Sequence, residues 1–238
     1  MHPEKQAKAL DDYLRSMVED YVPSALREGF AFHATEIYSG KKRFNKNRWP
    51  MNLRWKVLDE LVSIPAKFDM PIVMGFIPKG KLRRDYVALK QRDIDLAAHA
   101  IAFTTALCSG NMYMQMGAAP NEMASVTVEN SDHARTLIRT THDFIRDPEQ
   151  VKQLPDEVAK HLPLDRIVED VTFASKSSSA LQVADAVAFA IMRRLRRGRD
   201  SERFYDPLEP NIVARPNFAV LDKLTPGKWA AGLDAPDD

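Results

Sequence analysis

The chain has a single cysteine, Cys108, among its 238 residues. No disulfide forms within it, and a zinc site built on thiolates is excluded. That economy suits a reducing compartment, and the expected location is the cytoplasm. Glycine is also scarce, nine in all. None of them clusters into a phosphate-cradling loop, which argues against an enzyme built on a nucleotide cofactor. Neither sign of charge dominates: 34 Lys and Arg against 33 Asp and Glu give a net charge of +1. Affinity for nucleic acid would therefore have to come from local patches, not from the global field. Long apolar runs are missing as well. The most apolar stretch, AIAFTTALC at 100–108, is too short to span a bilayer, and the opening MHPEKQAKALDDYL has no apolar segment of the signal-peptide kind. No membrane partner is expected.

What is present is an alternation of helical and extended patterns. Leu10, Tyr13, Leu14, Met17 and Tyr21 mark a first helix that ends near Pro23. In GFAFHATEIYSG, residues 29–40, alternating residues predict a strand or extended segment ending at Gly40. A basic loop follows, then a helix over 51–68 with Leu53, Val57, Leu58, Leu61 and Ile64 on one face. PIVMGFIP, 71–78, predicts a buried strand. A helix over 82–109, on Leu89, Ile94, Leu96, Ala97 and Ile101, gives way to GNMYMQMGAAPNEM as a connection. ASVTVEN (124–130) and IVEDVTFA (167–174) predict strands, with a helix between them that starts at Ser131 or Asp132. The last helix covers about 179–197, with Ser179 and Gln182 as a capping box and Gly198 as its stop. Beyond it Pro207, Pro210, Pro216, Pro226 and Pro236 predict an arm on the surface. The expected organisation is one domain over 1–200 and a Pro-rich extension over 201–238. Helices alternating with short apolar strands make the class α/β layered.

The last helix carries an anomaly. Leu181, Ala184, Ala188, Ile191 and Leu195 form an apolar stripe, and Asp185 lies on it. Holding an ionised carboxylate against a core costs several kcal/mol. The chain can avoid that cost by pairing Asp185 with a cation or a neighbouring loop, by coordinating a metal, or by setting it in a cleft wall. Glu36 and Glu129 each close an extended segment, where ligand crevices of α/β sheets form. Three acids from separate segments are a candidate oxygen-ligand set for Mg²⁺ or Mn²⁺. Three basic tracts are candidate phosphate contacts or solvated charge: Lys41, Lys42, Arg43, Lys46 and Arg48; Lys79, Lys81, Arg83 and Arg84; and Arg193, Arg194, Arg196, Arg197 and Arg199.

FHATEIYSGKKRF near the start and VTFASKSSSALQVADAVAFAI near the end together resemble domain-of-unknown-function family 3800 of bacteria and phages, which is grouped with ribonuclease-H-like folds. The late signature is Ser175, Lys176, Ser177 and Ser178 followed by Leu181, Gln182, Val183, Ala184 and Asp185. The early one is His33, Ala34, Thr35, Glu36 and Gly40, and the middle one is Glu129, Asn130, Ser131 and Asp132. The resemblance implies a mixed central sheet flanked by helices and a carboxylate cluster of the metal-dependent nuclease kind. Glu36, Glu129 and Asp185 would be metal ligands and catalytic residues, Asp132 a substitute for Glu129, and Lys176 a phosphate contact. Mg²⁺ or Mn²⁺ and nucleic acid would be the cofactor and partner. Asn130 stands where relatives carry a further acid. The family's opening Asp-Glu-Ser-Gly-type hairpin has no counterpart here, so the expectation is a truncated member that lacks two strands and is inactive. The alternative is a non-catalytic nucleic-acid- or protein-binding module on the same fold.

Overall fold

A computed structural model of the protein describes residues 3–75, 77, 79–85, 90–153, 159, 162 and 164–214. The chain divides into two compact units. Unit 1 is Met1–Ile72 with Ala174–Ile212; unit 2 takes in Val73–Phe173 and, among the described residues that follow, Val213 and Ala214. The architecture is α/β and mostly helical, with small parallel sheets.

Unit 1 opens with α1, Pro3–Tyr21. Its buried stripe is Leu10, Leu14 and Met17, as the periodicity predicts. Tyr13 and Tyr21 stand beside that stripe and donate their hydroxyls to the Glu60 carboxylate, at 2.8 and 2.5 Å. The strand or extended segment expected over 29–40 holds only for its first part. Residues 30–33 are extended, and α2 (Ala34–Ser39) follows as a short helix. Ala34 and Ile37 are buried at a helical spacing of three. Gly40 ends the helix in the left-handed region, φ 64°, with its N–H on the carbonyls of Glu36 and Ile37. The basic loop wraps around two buried side chains, Phe44 and Trp49. Their rings stack against Phe30 and Phe32 in an aromatic cluster.

Helix α3 spans Met51–Lys67, with Val57, Leu58, Leu61 and Ile64 buried as expected. Among the described residues of the expected 71–78 strand, only β1, Ile72–Val73, is strand. Phe76 and Pro78 lie outside the described residues.

Unit 2 has α4 (Lys79–Asp85) and α5 (Gln91–Gly117) where one helix was expected. Leu89 of the expected stripe lies outside the described residues. Helix α5 runs on through most of the supposed connection, because Asn111 and Gln115 both donate to the Asp165 carboxylate and Asn111 accepts from the Arg166 N–H. Gly75 lies so close to α5 that a Cβ there would run into the Ala102 carbonyl and the Ala106 N–H. Strand β2 (Ala124–Glu129), α6 (Asp132–Arg146) and β3 (Ile167–Ala174) follow the expected order, and a one-turn helix that was not expected, α7 (Pro148–Val151), comes after α6. β2 and β3 pair with each other over a core of Leu107, Val126, Ile145, Leu164 and Ile167.

The chain returns to unit 1 as α8, Ser179–Leu195, which packs against α1, α2 and α3. Its buried face is Gln182, Val183, Ala186, Ala190 and Ile191, while Ala184 and Ala188 are exposed. The stripe read from the sequence is thus rotated. A helix so rich in alanine and branched apolar residues does not define one face by period alone. Its start also differs: the N-cap is Ser178, and no capping box forms. At its other end the residue in the left-handed region is Arg197 (φ 48°), not Gly198. Gly198 instead donates its N–H to the Arg193 carbonyl, the six-to-one bond of a Schellman end.

Residues 201–211 are not a free arm. Helix α9 (Ser201–Tyr205) and a 3₁₀ turn, Asp206–Asn211, bury Phe204 and Leu208 within unit 1. β4, Ile212–Ala214, pairs with β1 where the chain passes between units. Pro216, Pro226 and Pro236 lie outside the described residues. The mixed central sheet is not seen: among the described residues there are two separate two-stranded sheets.

Candidate functional site

The two motifs at the ends of the chain meet in unit 1. The Gln182 side chain is buried and bridges two segments. Its Oε1 accepts from the Phe32 N–H at 2.8 Å, and its Nε2 donates to the Ser177 carbonyl at 3.0 Å. One turn along α8, Asp185 Oδ2 accepts from the Ala34 N–H at 2.8 Å. Alternate N–H groups of an extended segment point the same way. Acceptors three residues apart on a helix are placed to receive two of them. This is the answer to the anomaly of Asp185: its carboxylate binds a neighbouring loop, and its side chain remains 37% exposed.

His33 adjoins the same oxygen. Its Nδ1 lies 3.0 Å from Asp185 Oδ2 but without the alignment of a hydrogen bond, since that nitrogen has no such partner among the described residues. The His33 side chain is 34% exposed. Glu36, in the first turn of α2, is 16% exposed and engaged by the Lys42 ammonium at 2.8 Å. Lys176 is exposed in the turn that precedes α8.

The other end of α2 is held by a residue that the sequence reading passed over. Arg54 is 4% exposed. Its Nη1 donates to the carbonyls of Ile37 and Tyr38, at 2.7 and 2.6 Å, and its Nε to that of Trp49 at 3.0 Å. A carboxylate at the N-terminus and a guanidinium at the C-terminus complement the helix dipole in the favourable sense. The signal was available, because Arg54 shares a helical stripe with Val57, Leu58 and Leu61 just as Asp185 lies among apolar neighbours.

The expected acidic residues are divided between the two units. Asp185, Glu36 and Lys176 belong to unit 1, whereas Glu129 and Asp132 belong to unit 2, where both are exposed. Among the described residues, no three His, Cys, Asp or Glu side chains come together around a space for a cation. Asp185 Oδ2 and Glu36 Oε1 are each engaged within unit 1, by the Ala34 N–H and the Lys42 ammonium.

The basic loop is the other feature. Lys41, Lys42, Arg43, Lys46 and Arg48 are all exposed around the buried Phe44 and Trp49. Lys42 is taken by Glu36, and Arg43 donates to the Gly29 carbonyl at 3.1 Å. Lys41, Lys46 and Arg48 have no acidic partner among the described residues. Compared with protein-family models, with curated proteins and with solved structures, the chain matches none.

Proposed function

We propose that the chain is a nucleic-acid-binding protein of the family-3800, ribonuclease-H-like type, and that it holds the phosphate backbone on residues 41–48. The observation that carries this reading is the group of three exposed, unpaired cations, Lys41, Lys46 and Arg48, on a loop pinned from inside by Phe44 and Trp49. Cations held on an anchored loop neutralise phosphates with less ordering cost than cations on a free tail. Binding of this kind needs no divalent ion. The test is titration of labelled single- and double-stranded oligonucleotides across a range of salt, with and without a chelator. Binding should survive chelation and weaken steeply with salt. K41A/K46A/R48A should lower the slope of log K against log salt by about 2 to 3. An unchanged slope and affinity would dismiss the loop as the binding element.

A second reading is a metal-dependent phosphodiesterase. It is favoured by the meeting of His33 and Asp185, which come from the two motifs that carry the resemblance. It requires carboxylates beyond those of unit 1. A rise in melting temperature with Mn²⁺ that disappears in Asp185→Asn supports it. No shift with Mg²⁺ or Mn²⁺, and no cleavage of either strand type, leaves the binding reading alone.

A further inference from the structure

We propose that Arg135, Arg139 and Phe173 form a phosphate-binding site on unit 2. Arg135 and Arg139 stand one turn apart on the exposed face of α6. Their guanidinium carbons lie 4.8 and 5.7 Å from the centre of one ring, Phe173 on β3. Both distances are within cation–π range.

The same helix face offers each arginine an acid at ion-pairing distance in sequence. Asp132 precedes Arg135 by three residues, and Asp143 follows Arg139 by four. Neither pair forms among the described residues. Asp143 instead has a long approach of its Oδ1 to His142 Nδ1, at 4.0 Å. Both guanidiniums gather on Phe173, side by side, despite their like charge.

Contact with a ring orients a guanidinium but consumes none of its five N–H donors. No hydrogen bond from either side chain to another described residue competes for them. Two oriented forks match a tetrahedral oxyanion, which guanidinium binds in bidentate fashion. The ligand is therefore a phosphate ester, either a nucleic-acid backbone or a small phosphorylated compound. The site is separate from residues 41–48 and does not rest on them.

The experiment uses the full chain, its R135Q/R139Q and R135K/R139K variants, and K41A/K46A/R48A. One arm measures the anisotropy of a labelled single-stranded oligonucleotide of about 20 nucleotides. The other compares melting temperature in inorganic phosphate and in chloride at equal ionic strength. R135Q/R139Q should weaken the oligonucleotide about tenfold and lower its salt slope by about 1.4, and the lysine pair should not restore it. That result assigns the backbone as ligand. Unchanged oligonucleotide binding, with a phosphate-induced rise in melting temperature that R135Q/R139Q abolishes, assigns a small phosphorylated compound. Wild-type behaviour of R135Q/R139Q in both arms overturns the site, as does full restoration by lysine. Loss of oligonucleotide binding in K41A/K46A/R48A alone upholds the loop, and it overturns this site unless R135Q/R139Q abolishes the phosphate-induced rise.

Discussion

At the scale of single residues, His142 is the side chain whose burial has the clearest thermodynamic consequence. It lies on the inward stripe of α6 with Ile138 and Ile145, is 1% exposed, and its Nε2 has no partner among the described residues. Burial holds its pKa below the ordinary histidine value. Arg146 pushes the same way, and Asp143 and Asp170 push back. The folded state thus keeps the ring neutral at a pH where the unfolded chain has already taken up a proton. Its contribution is fully present above the unfolded value of about 6.5 and is lost as pH falls from there towards the folded value. The expected result is a melting temperature that drops between about pH 7.5 and pH 5.5. It should drop less in His142→Leu, and the difference between the two curves should be no steeper than about 1.4 kcal/mol per pH unit. Parallel curves for the two proteins would assign the drop to other groups.

At the scale of elements, α2 is the informative case. Six residues do not sustain a helix alone, so α2 exists because Asp185 takes its first N–H and Arg54 its last carbonyls. Arg54→Met keeps most of the volume and strands three carbonyl groups. It should cost about 3 kcal/mol in urea unfolding. Asp185→Asn keeps an acceptor for Ala34 and should cost less than about 1 kcal/mol. Equal losses would show that the two ends do not work as described. The same helix explains where sequence reading succeeds and where it stops. Helices α1, α3 and α6 and strands β2 and β3 were legible because each is long enough for its own period to speak. Helix α2 was read as part of a strand or extended segment because FAFHATE alternates, and the acceptors that hold its entry lie about 150 residues away. The stripe of α8 was misread for a related reason. Its rotation is set by Gln182 and Asp185 reaching that segment, not by which residues are apolar. Asp185 was legible as an anomaly, yet nothing local could distinguish a loop-binding carboxylate from a metal ligand.

At the scale of the whole molecule, composition describes the balance but not its distribution. The net charge is +1, yet unpaired cations gather on residues 41–48 and on the outer face of α6. Among the described residues, no helix is long and apolar enough to cross a membrane. Unit 1 is discontinuous, and its later half extends through Ile212. Phe204 and Leu208 are fully buried in it. Ending the chain at residue 200 should therefore remove about 3 to 6 kcal/mol of burial and leave unit 1 unable to fold cooperatively, a loss that circular dichroism and chemical denaturation would register. A truncated chain with unaltered unfolding would show those side chains to be dispensable. The discontinuity also has a bearing on biosynthesis. Phe32 and Ala34 leave the ribosome some 150 residues ahead of the side chains that receive their N–H groups. At ordinary translation speeds that is a delay of roughly ten to thirty seconds. Throughout it, these N–H groups have no acceptor on α8, and the start of α2 must wait for the end of the chain.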